Sequence, residues 1–196
     1  MLNVVSTLSL GGDDVPDLIN GGDYTLVSLW ESGQQRDLTS TGNDPEGETE
    51  TLECVAGTYT ESAGVAIAGW TTGVSNFITI RAAAGSEHGG VVDGGPIIRG
   101  SGFAAALLTI NQPFTVLEDI QLTSASNQMQ ALYLPNTEPY PQDCEFKRVI
   151  VTAVQNTAGY KVVNVEFWGK RALFENCLIL NDGAAGFGLW IRGADC

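Results

Sequence analysis

The stretch "EFKRVIVTA", Glu145–Ala153, contains a pattern that occurs three times in the chain. "VLEDIQLTS" from Val116 and "LFENCLILN" from Leu173 align with it without gaps, at steps of 29 and 28 residues. The alignment produces three apolar columns: Leu117–Phe146–Phe174, Ile120–Val149–Cys177 and Leu122–Val151–Ile179. A near-constant step of this length is typical of proteins in which neighbouring repeats stack on one another.

Apolar columns at a constant step predict parallel strands about 4.8 Å apart, so that equivalent side chains stack directly. A second family of short strands, "LLTI", "ALYL", "VVNV" and "GLWI", accompanies the first at less even spacing. The pattern predicts an all-β protein, a right-handed parallel β-helix (solenoid) with a short N-terminal amphipathic capping helix. The alternative is an antiparallel sandwich, which the scarcity of Asn-Gly and Asp-Gly hairpin turns disfavours.

Two outward positions separate the first and second columns, where strict alternation would place one, and this predicts a bend. The two positions contain Glu118–Lys147–Glu175 and Asp119–Arg148–Asn176. Each column places a cation between an acid and an acid or amide, which avoids contact between like charges. We therefore expect charge ladders on the outside of the strands.

The N-terminal part contains the one segment with helical periodicity. Residues 25–37 place Leu26, Leu29 and Trp30 on one face, with Asp23 as the candidate N-cap. The predicted organisation is an N-terminal arm at 1–20, a cap helix with acidic loop and first strand at 21–62, and β-helix coils at 63–196. Whether coils continue past Cys196 is left open.

The segment "GGDYTLVSLWESGQ" from Gly21, with "ITIRAAAG" from Ile78, resembles the N-terminal cap of pectate-lyase-like right-handed parallel β-helix proteins encoded by tailed phages and prophages. The resemblance covers about residues 21–85. It implies a structural protein of a tailed-phage virion, as a capsid decoration, fibre or tail component assembled in the host cytoplasm. The implied partners are other virion proteins and further copies of the chain, a trimer being one such assembly.

A second function class follows from the same resemblance, because pectate-lyase-like folds often cleave acidic polysaccharides. The alternative is therefore a polysaccharide-binding or polysaccharide-cleaving protein similar to a phage depolymerase, with a glycan as ligand. A bacterial surface adhesin is a third class, and it would ordinarily require an export signal.

The charge balance disfavours two partner classes. A formal net charge of −14 argues against nucleic acid and anionic membrane, since both require a basic surface. No apolar run reaches the length of about 18 residues that a membrane helix requires. The first basic residue is Arg36, so the N-terminus lacks the positive region of a signal peptide.

The candidate catalytic residues are the outward charges Glu118, Asp119, Glu175 and Asp182, with Lys147 or Arg148. Charge pairing already explains these residue types, and we assign no catalytic, cofactor-binding or metal site. His88 is expected to be a solvated loop residue. A solvated loop rather than a calcium site is also expected for the acidic run Asp44, Glu46, Glu48, Glu50 and Glu53.

Cysteines and aromatic residues complete the candidates. The cysteines lack the paired spacing of a zinc site and are expected to be buried free thiols: Cys54, Cys144, Cys177 and Cys196. Six aromatic residues could form a sugar-stacking groove, although most are expected to be core or turn residues: Trp70, Trp168, Trp190, Tyr133, Tyr140 and Tyr160.

Overall fold

The computed structural model describes residues 2–15, 22–39, 47–102, 105–125, 130–138, 141–153, 161–166, 171–183 and 186–192. These ranges contain one helix, α1 (Val27–Gln34), and many short strands. The strands are β1 (Leu2–Leu8), β2 (Asp23–Tyr24), β3 (Glu48–Cys54), β4 (Gly57–Glu61), β5 (Val65–Ile67), β6 (Ile78–Ala82), β7 (Pro96–Gly100), β8 (Leu108–Ile110), β9 (Thr115–Glu118), β10 (Gln121–Ser124), β11 (Leu132–Leu134), β12 (Cys144–Lys147), β13 (Ile150–Ala153), β14 (Lys161–Glu166), β15 (Ala172–Glu175), β16 (Leu178–Asn181) and β17 (Phe187–Arg192).

The strands form three parallel sheets. The first has seven strands in the order β15-β12-β9-β6-β3-β1-β2. The other two have five strands each, in the orders β16-β13-β10-β7-β4 and β17-β14-β11-β8-β5. From β3 onward, successive strands belong to the three sheets in turn. Each round of three strands therefore adds one strand to every sheet.

The registers confirm the apolar columns. Phe146 is paired with Leu117 on one side and with Phe174 on the other. Val151 is paired in the same way with Leu122 and Ile179 in the second sheet. The second strand family aligns as β8, β11, β14 and β17 of the third sheet. Because these columns are fully buried in the middle strands, the core runs along the inner faces of all three sheets.

The predicted architecture is wrong. In place of one right-handed parallel β-helix, the described strands are divided among three parallel sheets of seven, five and five strands, with one helix and no closed solenoid. The physical reason is that a sequence repeat identifies which strands are neighbours within a sheet. It contains no information on the handedness of the connections or on how separate sheets are placed around one another.

The N-terminal segment contributes to the first sheet. β1 lies within the predicted arm at 1–20 and is paired along its whole length with β3. The division of the chain at 20/21 and 62/63 stays a prediction.

The bend predicted between the first two columns is present, and it has a specific backbone conformation. Asp119, Arg148 and Asn176 follow β9, β12 and β15 directly, with φ of 54°, 52° and 54°. Left-handed backbone is strained for residues with a Cβ and least so for Asn and Asp. The amides of Asp119 and Arg148 still donate to the next strand, to the carbonyls of Lys147 and Glu175 at 3.1 and 2.8 Å. The chain therefore turns from the first sheet to the second without interrupting the pairing.

The helix is shorter than predicted, and a different face is buried. Its buried residues are Val27, Trp30 and Gln34, whereas Leu29 is 38% exposed. Asp23 belongs to β2, and the N-cap residue is Leu26, which makes no side-chain capping bond.

The carboxylate of Glu61 in β4 replaces the predicted cap. It accepts the first helical amides, from Val27 at 2.8 Å and from Ser28 at 3.3 Å. It also accepts the Ser28 hydroxyl at 2.7 Å. A carboxylate at this position complements the positive end of the helix dipole. Helix α1 contacts β1, β2, β4 and β5, so it lies across the first strands of all three sheets.

Candidate functional site

The outward face of the seven-stranded sheet carries an alternating charge ladder. The pairing register aligns Glu53, Arg81, Glu118, Lys147 and Glu175 in one column. The sequence predicted the last three members, and the structure adds the first two. Opposite charges alternate at every step, which is the favourable arrangement for directly stacked side chains.

Ion pairs connect parts of this ladder. Arg81 Nη2 lies 2.6 Å from Oε1 of Glu53. Arg148 forms a bidentate pair with Asp119, from Nε to Oδ1 at 2.8 Å and from Nη2 to Oδ2 at 2.7 Å, and it also contacts Glu118. These hydrogen bonds raise the pKa of Arg148, the Asp119 carboxylate being the main cause. Lys147 pairs with Glu145 of its own strand, and that bond likewise raises the pKa of Lys147.

A groove of about 470 Å³ runs over this face of the sheet. The groove is lined by carboxylates, cations, one threonine and apolar side chains. The lining residues are Val74, Phe77, Thr79, Arg81, Phe114, Val116, Glu118, Asp143, Glu145, Lys147 and Arg171. A second depression of about 320 Å³ adjoins it and shares Arg81 and Glu118. The groove brings together Glu118 and Lys147 from the predicted candidates, while Asp119 and Arg148 line the second depression.

Two of the predicted candidates lie elsewhere. Glu175 is on the edge strand β15, and Asp182 follows β16 with an exposed side chain. Because neither residue lines the groove, the outward carboxylates do not all converge on one centre.

The expectation of a solvated His88 is wrong. The imidazole is only 6% exposed, and Nδ1 accepts the Gly90 amide at 2.8 Å. Nε2 therefore carries the hydrogen and donates it to the carbonyl of Arg148. In the same loop, the amide of Asp93 donates to Oε1 of Gln121 at 2.8 Å. His88 thus fixes the Gly-rich loop against the bend between the first two sheets.

The expectation of a solvated acidic loop is wrong for its second half. Glu48 and Glu50 lie in β3, with exposed fractions of 3% and 0%. Glu50 Oε1 accepts Ser6 Oγ at 2.9 Å and Trp30 Nε1 at 3.1 Å, and its Oε2 accepts Arg36 Nη2 at 2.9 Å. Arg36 Nε donates to Glu48 at 3.1 Å. Glu53 is on the outward ladder, and Asp44 and Glu46 lie outside the described residues.

Two further contacts extend this buried network. Gln34 Nε2 donates to the hydroxyl of Tyr24 at 2.8 Å, and Arg36 Nη1 donates to the carbonyl of Gln34 at 2.9 Å. Burial raises the pKa of Glu50, and this effect exceeds the opposing effects of Trp30 and Arg36. Burial likewise raises the pKa of Glu31, which accepts Trp70 Nε1 at 3.2 Å. Together with Glu61, these carboxylates attach α1 to the sheets.

The aromatic candidates do not form a sugar-stacking surface among the described residues. Trp70 is buried, with its ring centroid 5.7 Å from that of Trp30. Trp190 contacts Phe187 and the ammonium of Lys161, and the Tyr133 hydroxyl donates to Glu166 at 3.1 Å. Trp168, Tyr140 and Tyr160 lie outside the described residues.

The thiols follow the prediction in part. Cys54 and Cys144 are free and buried, and Cys177 is free and half-buried, while Cys196 lies outside the described residues. In the described part of the chain, no three His, Cys, Asp or Glu side chains form a group that could hold a metal ion. No helix in these ranges is long and apolar enough to cross a membrane.

The last strand of each sheet leaves apolar side chains uncovered. Val163 and Val165 of β14 are 0% and 1% exposed, whereas their register partners Leu189 and Ile191 in β17 are 44% and 51% exposed. Equivalent positions thus change from core to surface within one strand spacing. The end formed by β15, β16 and β17, called here the open end, contains five of the exposed large apolar side chains: Leu173, Leu178, Phe187, Leu189 and Ile191.

Comparison with known proteins gives no match of any of three kinds. No protein-family model fits the chain. No curated protein and no solved structure is significantly similar to it.

Proposed function

We propose that this chain is a structural protein of a tailed-phage particle that joins neighbouring virion proteins through its open end. The observation that supports this proposal is the exposure of Leu189 and Ile191, whose equivalents in β14 are core residues. Exposed apolar positions that continue a core are typical of surfaces that a neighbouring subunit covers. The phage setting rests on the resemblance of the segment from Gly21.

Co-fractionation with particles tests this function. The chain is expressed with its virion proteins, and assembled particles are separated from free protein by sedimentation. Wild-type protein is expected in the particle fraction, and Leu189→Lys with Ile191→Lys is expected to remain free. Val74→Lys is the matched control, because Val74 is 84% exposed at a different surface. Absence of the wild-type protein from particles would contradict the proposal.

A polysaccharide-binding or polysaccharide-cleaving function is the second candidate. The observation that favours it is the groove, where Phe77 and Phe114 border the carboxylates of Glu118 and Glu145. Glu118→Gln is expected to abolish binding or cleavage of an acidic polysaccharide without changing thermal stability. A loss of stability with binding and cleavage unchanged would contradict this function, because the ladder role of Glu118 would then be sufficient.

A further inference from the structure

Among the described strands, β15 is the last of the seven-stranded sheet, and its sequence is self-complementary. The five residues from Arg171 to Glu175 are, in order, a basic residue, a small residue, a leucine, an aromatic residue and an acidic residue. When a second copy is laid antiparallel and centred on Leu173, Arg171 meets Glu175 of the partner and Ala172 meets Phe174. Leu173 meets its own equivalent on the two-fold axis. Each contact is therefore between opposite charges, between small and large side chains, or between two leucines.

The backbone of β15 is oriented correctly for this register. The carbonyls of Arg171 and Glu175 accept the amides of Cys144 and Arg148 from β12, at 3.3 and 2.8 Å. Since successive residues of a strand alternate in direction, the backbone groups of Ala172 and Phe174 point to the free edge. In an antiparallel pair these two residues would exchange both hydrogen bonds, and Leu173 would occupy the close, non-hydrogen-bonded position.

Both charged side chains of β15 are exposed to solvent. The side chain of Arg171 is 89% exposed, although it already pairs with Asp143 at 2.6 Å. Glu175 is exposed beside Lys147, its neighbour in β12. A second copy would place Arg171 between two acids and Glu175 between two bases, which continues the alternation of the ladder.

The opposite end of the sheets disfavours head-to-tail addition of a second copy. Helix α1 lies across the first strands there, β1 ("LNVVSTL") has no charged residue, and the two-residue end strand β2 contains an acid, Asp23, but no base to pair with Glu175. Identical ends are therefore expected to meet, which is the isologous arrangement of a two-fold dimer.

We propose that two copies of this chain pair antiparallel through β15, with Leu173 on the two-fold axis. This inference rests on the proposed function, because it identifies one neighbour at the open end. It specifies a two-fold pair, whereas the sequence left the number of copies open. β16 and β17 contact each other at the same end of the molecule, so pairing also brings their apolar residues towards the partner.

A charge-exchange experiment tests the register. Arg171→Glu and Glu175→Arg are prepared separately, and dimerisation is measured by analytical ultracentrifugation. Each variant alone places like charges opposite each other twice per dimer, so dimerisation is expected to weaken at least about tenfold. An equimolar mixture restores both opposite-charge contacts and is expected to form a heterodimer. Arg81→Glu makes the same charge change on β6, three strands from β15 in the sheet and away from the open end, and this variant is expected to dimerise normally.

A cysteine at the axis provides a second, independent measurement. Leu173→Cys places two thiols opposite each other at the spacing of a non-hydrogen-bonded pair, about 4.5 Å between Cα atoms, which permits a disulfide. Oxidation is expected to cross-link this variant into a dimer and to leave Val74→Cys monomeric. The proposal is overturned by a wild-type protein that stays monomeric, by a mixture that does not associate, or by absent Leu173→Cys cross-linking. The particle co-fractionation described above tests the broader function separately.

Discussion

Arg36 Nη2 lies 2.9 Å from Oε2 of Glu50, and the same guanidinium contacts Oε2 of Glu48 through Nε at 3.1 Å. The side chain of Glu50 has no solvent exposure, and that of Glu48 is 4% exposed. One cation thus bridges two buried carboxylates on the inner face of β3. Because Arg36 lies two residues after the end of α1, the ion cluster fixes the end of the helix to the sheet.

Replacement of this cation should be strongly destabilising. Arg36→Met leaves Glu48 and Glu50 buried without their partner, and breaking a buried pair costs about 3–5 kcal/mol of unfolding free energy. Urea denaturation at pH 8 measures the loss. Arg81→Met is the control, because the Arg81–Glu53 pair is partly exposed to solvent and its loss should cost less than about 1 kcal/mol. Similar losses for both variants would contradict a special role for the buried cluster.

Glu50 should also make stability depend on pH. Burial raises its folded-state pKa above the ordinary value of 4.5. The folded state therefore binds the proton more tightly, and this contribution is full below pH 4.5 and is lost as the pH rises to the folded pKa. Relative to Glu50→Gln, the wild type should become less stable between pH 4.5 and pH 8, as measured by urea denaturation across that range. A difference that is constant with pH would show that the folded-state pKa is not raised.

The apolar columns were predictable from sequence because stacked parallel strands place like residues directly above one another. Leu117, Phe146 and Phe174 are therefore visible as a repeat, and the register follows from it. The architecture was not predictable from the same signal. The step between repeats is equally compatible with any arrangement in which one strand is added to each sheet in turn.

The buried acids could be missed because a Glu-Thr alternation has the composition of a polar loop. The alternation of side chains along a strand was the available signal. Glu48 and Glu50 lie on the same strand face as the apolar Leu52 and Cys54, and this face is the buried one. His88 gave no such signal, because its acceptor is a backbone carbonyl 60 residues away.

Glu61 should be the main determinant of the start of α1. Glu61→Ala removes the acceptor of two helical amides and of the Ser28 hydroxyl, with an expected loss of about 2 kcal/mol. Glu61→Gln keeps an acceptor oxygen and loses only the charge at the helix N-terminus, so about half of that loss is expected. Urea denaturation of both variants tests this order, and equal losses would indicate that only the charge matters.

The bend after β15 should be sensitive to the shape of the side chain. Asn176 has φ of 54°, a conformation that Gly adopts freely and β-branched residues adopt with strain. Asn176→Val should lower the unfolding free energy by about 1–2 kcal/mol, and Asn176→Gly should leave it nearly unchanged. Thermal unfolding of the two variants at low protein concentration separates this effect from self-association. A tolerated valine would contradict left-handed backbone at this position.

The described thiols should differ in reactivity because reaction requires an accessible thiolate. Burial raises the pKa of Cys144 to about 12 and also raises that of Cys54, and neither side chain is accessible to solvent. Burial also raises the pKa of Cys177, but this thiol is only half-buried and lies on the open end.

At pH 8, iodoacetamide should therefore modify Cys177 well before Cys54 and Cys144, as measured by mass spectrometry of the digested protein. All three should react at similar rates in urea, since unfolding removes the difference in burial. If β15 pairs with a second copy, native labelling of Cys177 should also slow as protein concentration increases, because the neighbouring strand covers this end. Faster labelling of Cys54 or Cys144 than of Cys177 in the native protein would contradict the burial of these two thiols.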